Sequence, residues 1–243
     1  MSAEPPSKPG GFATRRQLTL ELELPPHFGR DDFLVSTANA SALQMLEAWP
    51  TWPDCVVLLF GSPGTGKSHL AAIWAARAGA DIISASALNE TDFVALAARP
   101  ALVIENAETI GAAEADLFHL LNLARERKTS LLFTARQRPD LWGLATPDLL
   151  SRLRLAPVIE LGTPDDAFLN AVLVKLFCDR QLIVDASVVD YIALHIDRSL
   201  HMARYVVAML DREGLARGGK VTRNMARELL QSLHAADDAH EAG

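Results

Sequence analysis

Two periodicities divide this chain. Leucines alternate with polar residues in Arg15-Arg16-Gln17-Leu18-Thr19-Leu20-Glu21-Leu22-Glu23-Leu24, and Pro25-Pro26 closes the stretch. A period of two predicts an extended segment. It is either an edge strand of the main domain or an extended peptide that docks on a partner. Residues 1–14, rich in Pro, Gly, Ser and Ala, bury too little apolar surface to order themselves. Residues 28–35 read as an irregular connector, and residues 40–48 as a helix with Thr37 or Asn39 as its cap. Five short apolar runs then predict strands at residues 56–60, 81–85, 101–106, 130–135 and 157–161. Helical patterns separate them: from the glycine-rich turn after the first run to Ala78, residues 89–98, residues 113–128 and residues 148–153. Gly79 stops the first of these and Pro100 the second. Strands with no polar face, alternating with helices, predict an α/β fold, a parallel sheet with helices on both faces. After Gly162-Thr163-Pro164 the pattern turns wholly helical, with candidates at residues 165–181, 187–196, 200–213 and 222–233 and a frayed end from Ala235. The expected division is a flexible tail at 1–24, an α/β domain at 25–163 and a small all-helical domain at 164–243.

The first strand runs into Gly61-Ser62-Pro63-Gly64-Thr65-Gly66-Lys67-Ser68, and the helical pattern starts at once after it. Strand, glycine-rich turn and helix in this order are what a phosphate-binding loop requires. Glycines let the backbone turn tightly enough to point N–H groups at phosphate oxygens, and the helix start adds free donors. Lys67 would reach the outer phosphates and the Ser68 hydroxyl would hold Mg2+. An ordinary Gly-Pro turn would not need every fixed position filled, so the chain is expected to bind a nucleoside di- or triphosphate. Three further residues carry candidate chemistry. Glu105 ends the third strand, where a carboxylate can hold the magnesium shell or orient a water, or simply stand in solvent. Asn106 follows it and cannot act as a base. Thr134, ending the fourth strand, can bond near the outer phosphate or to backbone. Arg152 is either a solvated charge or an arginine offered to another protein's nucleotide.

Composition narrows the partners. The net charge of −7 argues against broad nucleic-acid binding, and 49% apolar with 22% charged residues is ordinary for a soluble globular chain. Cys55 and Cys178 match no metal spacing and are expected as buried free thiols in a reducing compartment. There is no apolar run of membrane length and no apolar signal core, so a cytoplasmic location is expected.

In this order the pieces resemble the AAA+ ATPases, and within them the initiator clade. The loop ending Gly66-Lys67-Ser68-His69-Leu70 is similar to that of the DnaA initiator and its relatives. The resemblance extends over residues 56–230. It takes in the segment from Leu131 through Thr134 to Pro139, similar to the family's sensor 1 segment, and that from Asp148 through Arg152 to Leu153, similar to the arginine-finger segment. The helical end then corresponds to the AAA+ lid. Gln17-Leu18-Thr19-Leu20-Glu21-Leu22 resembles the Gln-Leu-x-Leu-x-Leu peptide that docks on the bacterial sliding clamp. Together with the expected absence of a DNA-binding domain after the lid, it marks the DnaA-related regulators. The resemblance implies ADP or ATP with Mg2+ held by residues 61–69, clamp docking through Gln17, Leu18, Leu20 and Leu22, and Arg152 supplied as a finger. The implied partners are DnaA and the DNA polymerase III sliding clamp (beta). No direct sequence-specific DNA binding and no membrane are implied, and self-association is left open. The family's acidic pair is Glu105-Asn106 here, which weakens self-hydrolysis. Its sensor 2 arginine falls at His201, with Arg204 three residues on as a substitute. The rival readings are an active AAA+ ATPase such as a DnaC-type helicase loader, a small-molecule phosphotransferase and a pure interaction module.

Overall fold

The computed structural model describes residues 29–90, 93–96, 98–217 and 219–241. The candidate clamp peptide lies outside the described residues. Five strands form one sheet: β1 (Val56–Phe60), β2 (Asp81–Ser84), β3 (Ala101–Glu105), β4 (Ser130–Ala135) and β5 (Val158–Glu160). All pairings are parallel, in the order β2-β3-β4-β1-β5. The solid apolar runs are the inner strands, with every residue of β1 buried, while β2 and β5 lie at the edges and expose polar residues. This is the α/β architecture that the periodicity predicts.

Alternate strand residues point to opposite faces, which gives two cores. One gathers Val56, Leu58, Leu131 and Phe133 under α4 (Glu114–Arg127) and α5 (Pro147–Arg154). The other gathers Val57, Leu59, Val103 and Leu132 under α1 (Ala40–Glu47) and α2 (Lys67–Ala78). On that face Trp52 stacks on Trp74 at 4.9 Å, with Trp49 edge-on at 6.2 Å, so the Trp-Pro stop after α1 wedges it against α2. Burying a large apolar side chain such as Leu70 or Leu120 contributes about 1.5–3 kcal/mol.

The elements depart from the expected bounds for local reasons. In place of a helix over residues 89–98 there is a 3-10 turn, Ala85–Glu90, then a short α3 (Phe93–Leu96). Ala85 and Leu88 are both buried, three residues apart, the repeat of a 3-10 turn. Asn39 precedes α1, but its side chain accepts from the Ser36 N–H and donates to the Leu34 carbonyl instead of capping the helix.

The helical end has its own apolar core: α6 (Asp166–Asp179), α7 (Ala186–His195), α8 (Leu200–Arg217) and α9 (Arg223–Glu241). Asp165 caps α6 through the Phe168 N–H at 2.7 Å. α8 passes the expected stop at Glu213 and runs on through the buried Gly214 to Arg217. α9 likewise continues past Ala235, through an alanine-rich stretch without Gly or Pro. Among the described residues no helix is long and apolar enough to cross a membrane.

Candidate nucleotide-binding site

β1 and its neighbour β4 lead into α2 and α5 on opposite faces of the sheet, so the C-terminal end of β1 opens at the switch point. The glycine-rich turn starts there, tied to β4 by the Gly61 N–H donating to the Ala135 carbonyl at 3.2 Å. Gly64 and Gly66 have φ of 75° and 101°, values that side chains disfavour. Gly66 is the residue before α2, and its left-handed turn aims the first N–H groups of the helix into the loop. Thr65 is buried and donates its hydroxyl to the Ser62 carbonyl at 2.9 Å, which fixes the loop's curl.

Lys67 folds over this loop, its Nζ donating to the carbonyls of Gly61 at 2.6 Å and Ser62 at 2.8 Å. Burial holds its ammonium below the usual lysine value, Glu108 and Glu105 oppose that, and Arg136 adds to it. Ser68 stands exposed on the first turn of α2. At the end of β3, one carboxylate oxygen of Glu105 is buried without a hydrogen-bond partner. A curled loop with positive φ, a lysine and an orphaned acidic oxygen at one sheet edge fit a nucleotide phosphate with Mg2+, Ser68 and Glu105 supplying oxygens to the ion.

Sheet register decides what else is near. Ile104 pairs with Phe133, so the next residues, Glu105 and Thr134, adjoin. Thr134 is buried and its Oγ1 accepts from the Asn106 N–H at 3.3 Å. Asn106 itself has φ of 54°, turning the chain away from the strand. Just beyond, Glu108 accepts from the Arg136 N–H and pairs with its guanidinium at 3.4 Å.

The helical end closes on the loop directly. The Leu200 N–H, at the start of α8, donates to the Gly64 carbonyl at 2.8 Å. A Cβ on Gly64 would lie 2.0 Å from Ser199 Oγ, so this glycine also makes room for the approach of α8. One turn along, Arg204 Nη2 lies 2.8 Å from Nδ1 of His69. His69 Nε2 lies 3.1 Å from the Gly29 carbonyl, and Phe33 meets the ring edge-on at 5.2 Å. Burial lowers the pKa of His69, as does Arg204, while the Gly29 bond works against the shift. Lys175 of α6 bonds to Asp32 at 3.1 Å, tying the same segment to the helical end.

The loop residues 61–68, Glu105, Thr134 and, through His69, Arg204 thus meet at one edge of the sheet. His69 sits behind the loop, buried, and His201 is exposed. Arg152 is elsewhere: α5 packs on the face opposite α2, and the Arg152 guanidinium lies 5.0 Å from the Phe118 ring centroid on α4. Sequence reasoning missed the roles of Gly29, Asp32 and Phe33, because a connector without periodicity gives no sign of what it touches. It also expected both thiols buried. Both are free, Cys55 half-buried and Cys178 exposed.

The family model for the "ATPase family associated with various cellular activities (AAA)" matches residues 57–134. No match is found among curated protein sequences. Domain III of the Thermotoga maritima replication initiation protein DnaA superposes with a TM-score of 0.74 at 17% identity, over 85% of this chain and 97% of that one. AMPPCP-bound DnaA from Aquifex aeolicus gives 0.65 at 16%, over 76% and 65%. The Thermotoga maritima RuvB Holliday junction branch migration motor gives 0.67 at 17%, over 84% and 72%. The chain therefore has the AAA+ fold, a parallel sheet followed by a helical lid, as in DnaA domain III.

Proposed function

We propose that this chain is a nucleotide-binding adaptor of the Hda type. It holds ADP, or ATP, with Mg2+ between the sheet and the helical lid. It joins the DNA-loaded sliding clamp through Gln17, Leu18, Leu20 and Leu22, and it offers Arg152 to the DnaA initiator. DnaA then hydrolyses its ATP, and re-initiation of replication is prevented. The observation that carries this reading is the placement of Arg152. An arginine on α5, on the sheet face opposite the loop helix, stands apart from this chain's own phosphate loop, which supports a part for it on another protein's nucleotide. The strand end agrees, since Asn106 supplies no base beside Glu105. The likeness to AMPPCP-bound DnaA supports a nucleotide in the same cleft.

A second reading, an active AAA+ ATPase of the helicase-loader kind, is favoured by the buried, unpartnered oxygen of Glu105. One pair of measurements separates the two. The adaptor retains the clamp in a pull-down and loses it when Gln17, Leu18 and Leu20 are changed together to Ala, with thermal stability unchanged. By itself it turns over ATP more slowly than about 1 per second, the lower range for working enzymes. Fast intrinsic turnover without clamp binding would replace the adaptor with the loader.

A further inference from the structure

We propose that the groove between α7 and α9 is a docking site for an acidic peptide of a partner protein, one that sets a carboxylate beside an apolar side chain. Two adjoining hollows make the groove. One, of about 360 Å³, is lined by Tyr191 of α7 and by Arg223, Asn224 and Arg227 of α9. The other, of about 200 Å³, shares Tyr191 and Arg223 and adds Asp190 and Leu194 from α7. No residue of the glycine-rich loop lines either hollow. Arg223 and Arg227 are four residues apart, on one face of α9. Arg223 lies in the first turn, which holds no acidic residue, so the positive end of the helix dipole opposes it. The cap there is a neutral hydroxyl, Thr222 accepting from the Met225 N–H at 3.3 Å. Glu228, the next acid along α9, is taken by Arg217 at 3.1 Å. Among the described residues neither arginine pairs with a carboxylate. A chain of net charge −7 thus carries two uncompensated guanidinium groups side by side, one of them against its own helix dipole, and an anion relieves both.

The groove also holds its first arginine in place. Arg223 rests over the Tyr191 ring at 5.1 Å. His195 stacks on the same ring at 4.1 Å, and its Nδ1 donates to the Tyr191 carbonyl at 2.7 Å. A guanidinium kept on a ring is preorganised, and its planar fork suits a carboxylate or a phosphate. The second hollow chooses between the two. Leu194 is 80% exposed, an apolar side chain left in water. Asp190 near it repels the next phosphate of a nucleic acid strand. A peptide can instead lay an apolar residue on Leu194 and bring no charge to Asp190.

Fluorescence anisotropy on the full chain tests this with the labelled peptide Glu-Leu-Asp-Leu-Glu, its amide form Gln-Leu-Asn-Leu-Gln and its serine form Glu-Ser-Asp-Ser-Glu. The acidic peptide should bind saturably, and more weakly as salt is added. The amide form should lose about tenfold or more, the weight of one hydrogen bond to a charged group. The serine form should lose about tenfold, the weight of one buried leucine. Arg223→Glu with Arg227→Glu should abolish binding and keep the thermal unfolding of the wild type, since an acid in the first turn suits the dipole. Leu194→Ser, at an exposed position, should cost what the serine peptide costs. No saturable binding, or binding that the double variant retains, overturns the proposal. Labelled oligodeoxythymidine that binds more tightly than the peptide, and is lost in the same double variant, overturns it in favour of nucleic acid. Tighter peptide binding on changing Glu21→Gln with Glu23→Gln, the acids of Leu20-Glu21-Leu22-Glu23-Leu24, overturns it in favour of the chain's own acidic, leucine-rich segment.

Discussion

Lys67 holds its ammonium between two backbone carbonyls of its own loop, which solvate a cation that burial has taken out of water. Phosphate oxygens would take over that role with full charges. Lys67→Ala is expected to lower affinity for ADP and ATP by about a hundredfold, the upper range for hydrogen bonds to charged groups. Calorimetry checks it, and equal affinity of variant and wild type would remove the loop from the site. The two thiols offer an independent reading of local environment. Burial pushes the Cys55 thiol up to about 11, and the neighbouring Asp54 carboxylate adds to the shift by hydrogen bond and by charge. Cys178 is exposed near the end of α6. The thiolate is the nucleophile, so an alkylating agent at mildly alkaline pH should label Cys178 quickly and Cys55 only on unfolding. Peptide mapping of the labelled protein decides it, and equal rates at both would contradict the packing around β1.

At the scale of elements, α5 depends on its neighbour. Thr146 precedes it without a side-chain cap, and the Glu114 carboxylate of α4 stands in, accepting from the N–H groups of Ala145 at 2.9 Å and Thr146 at 2.8 Å. Burial by itself would raise the Glu114 pKa, but these bonds outweigh it and the carboxyl sits below its ordinary 4.5. A depressed carboxyl stabilises the fold above its unfolded pKa and loses that contribution as pH falls through the lower folded value. Glu114→Gln is expected to cost about 1 kcal/mol near neutral pH, the low end for a charged acceptor that is partly exposed. It should also flatten the acid limb of stability below pH 4.5. Urea unfolding across that range tests both, and an unchanged acid limb would remove Glu114 from the α5 entry. Such contacts explain what the sequence could and could not disclose. The solid apolar runs of β1, β3 and β4 and the filled loop from Gly61 to Ser68 were legible, because burial on both faces and phosphate chemistry each constrain consecutive residues. The bond from Lys175 to Asp32 spans 143 residues, and His69 meets both Gly29 and Arg204 only through the tertiary fold.

At the scale of the whole molecule, the two faces of the sheet separate the phosphate loop from Arg152. α2, the loop and the lid lie toward one face, whereas α5 and Arg152 lie on the other. Arg152 rests over the Phe118 ring, a contact that holds a guanidinium without a carboxylate, whereas Arg136 and Arg154 are paired with Glu108 and Asp140. Moving Arg152 onto a neighbour's nucleotide would break a cation–π contact of about 0.5–1 kcal/mol, and among the described residues no ion pair. In the transition state of phosphoryl transfer the charge spreads over the equatorial oxygens, and a guanidinium delivered from a second protein stabilises it by about 10³–10⁵ in rate. Arg152→Ala should accordingly bind ADP and the clamp as the wild type does, because Arg152 belongs neither to the glycine-rich loop nor to the Gln17–Leu22 segment, yet fail to stimulate ATP hydrolysis by DnaA. Arg152→Lys should fail as well, since a point charge lacks the planar fork. The assay is labelled ATP on DnaA with clamp loaded on DNA, each variant added in turn. Full stimulation by Arg152→Ala would transfer the role to Arg138, which stacks on Phe60 at 5.0 Å, or to the paired Arg136 and Arg154. If the wild type gives no stimulation, the adaptor reading falls as a whole, while the nucleotide site stands or falls on Lys67 alone.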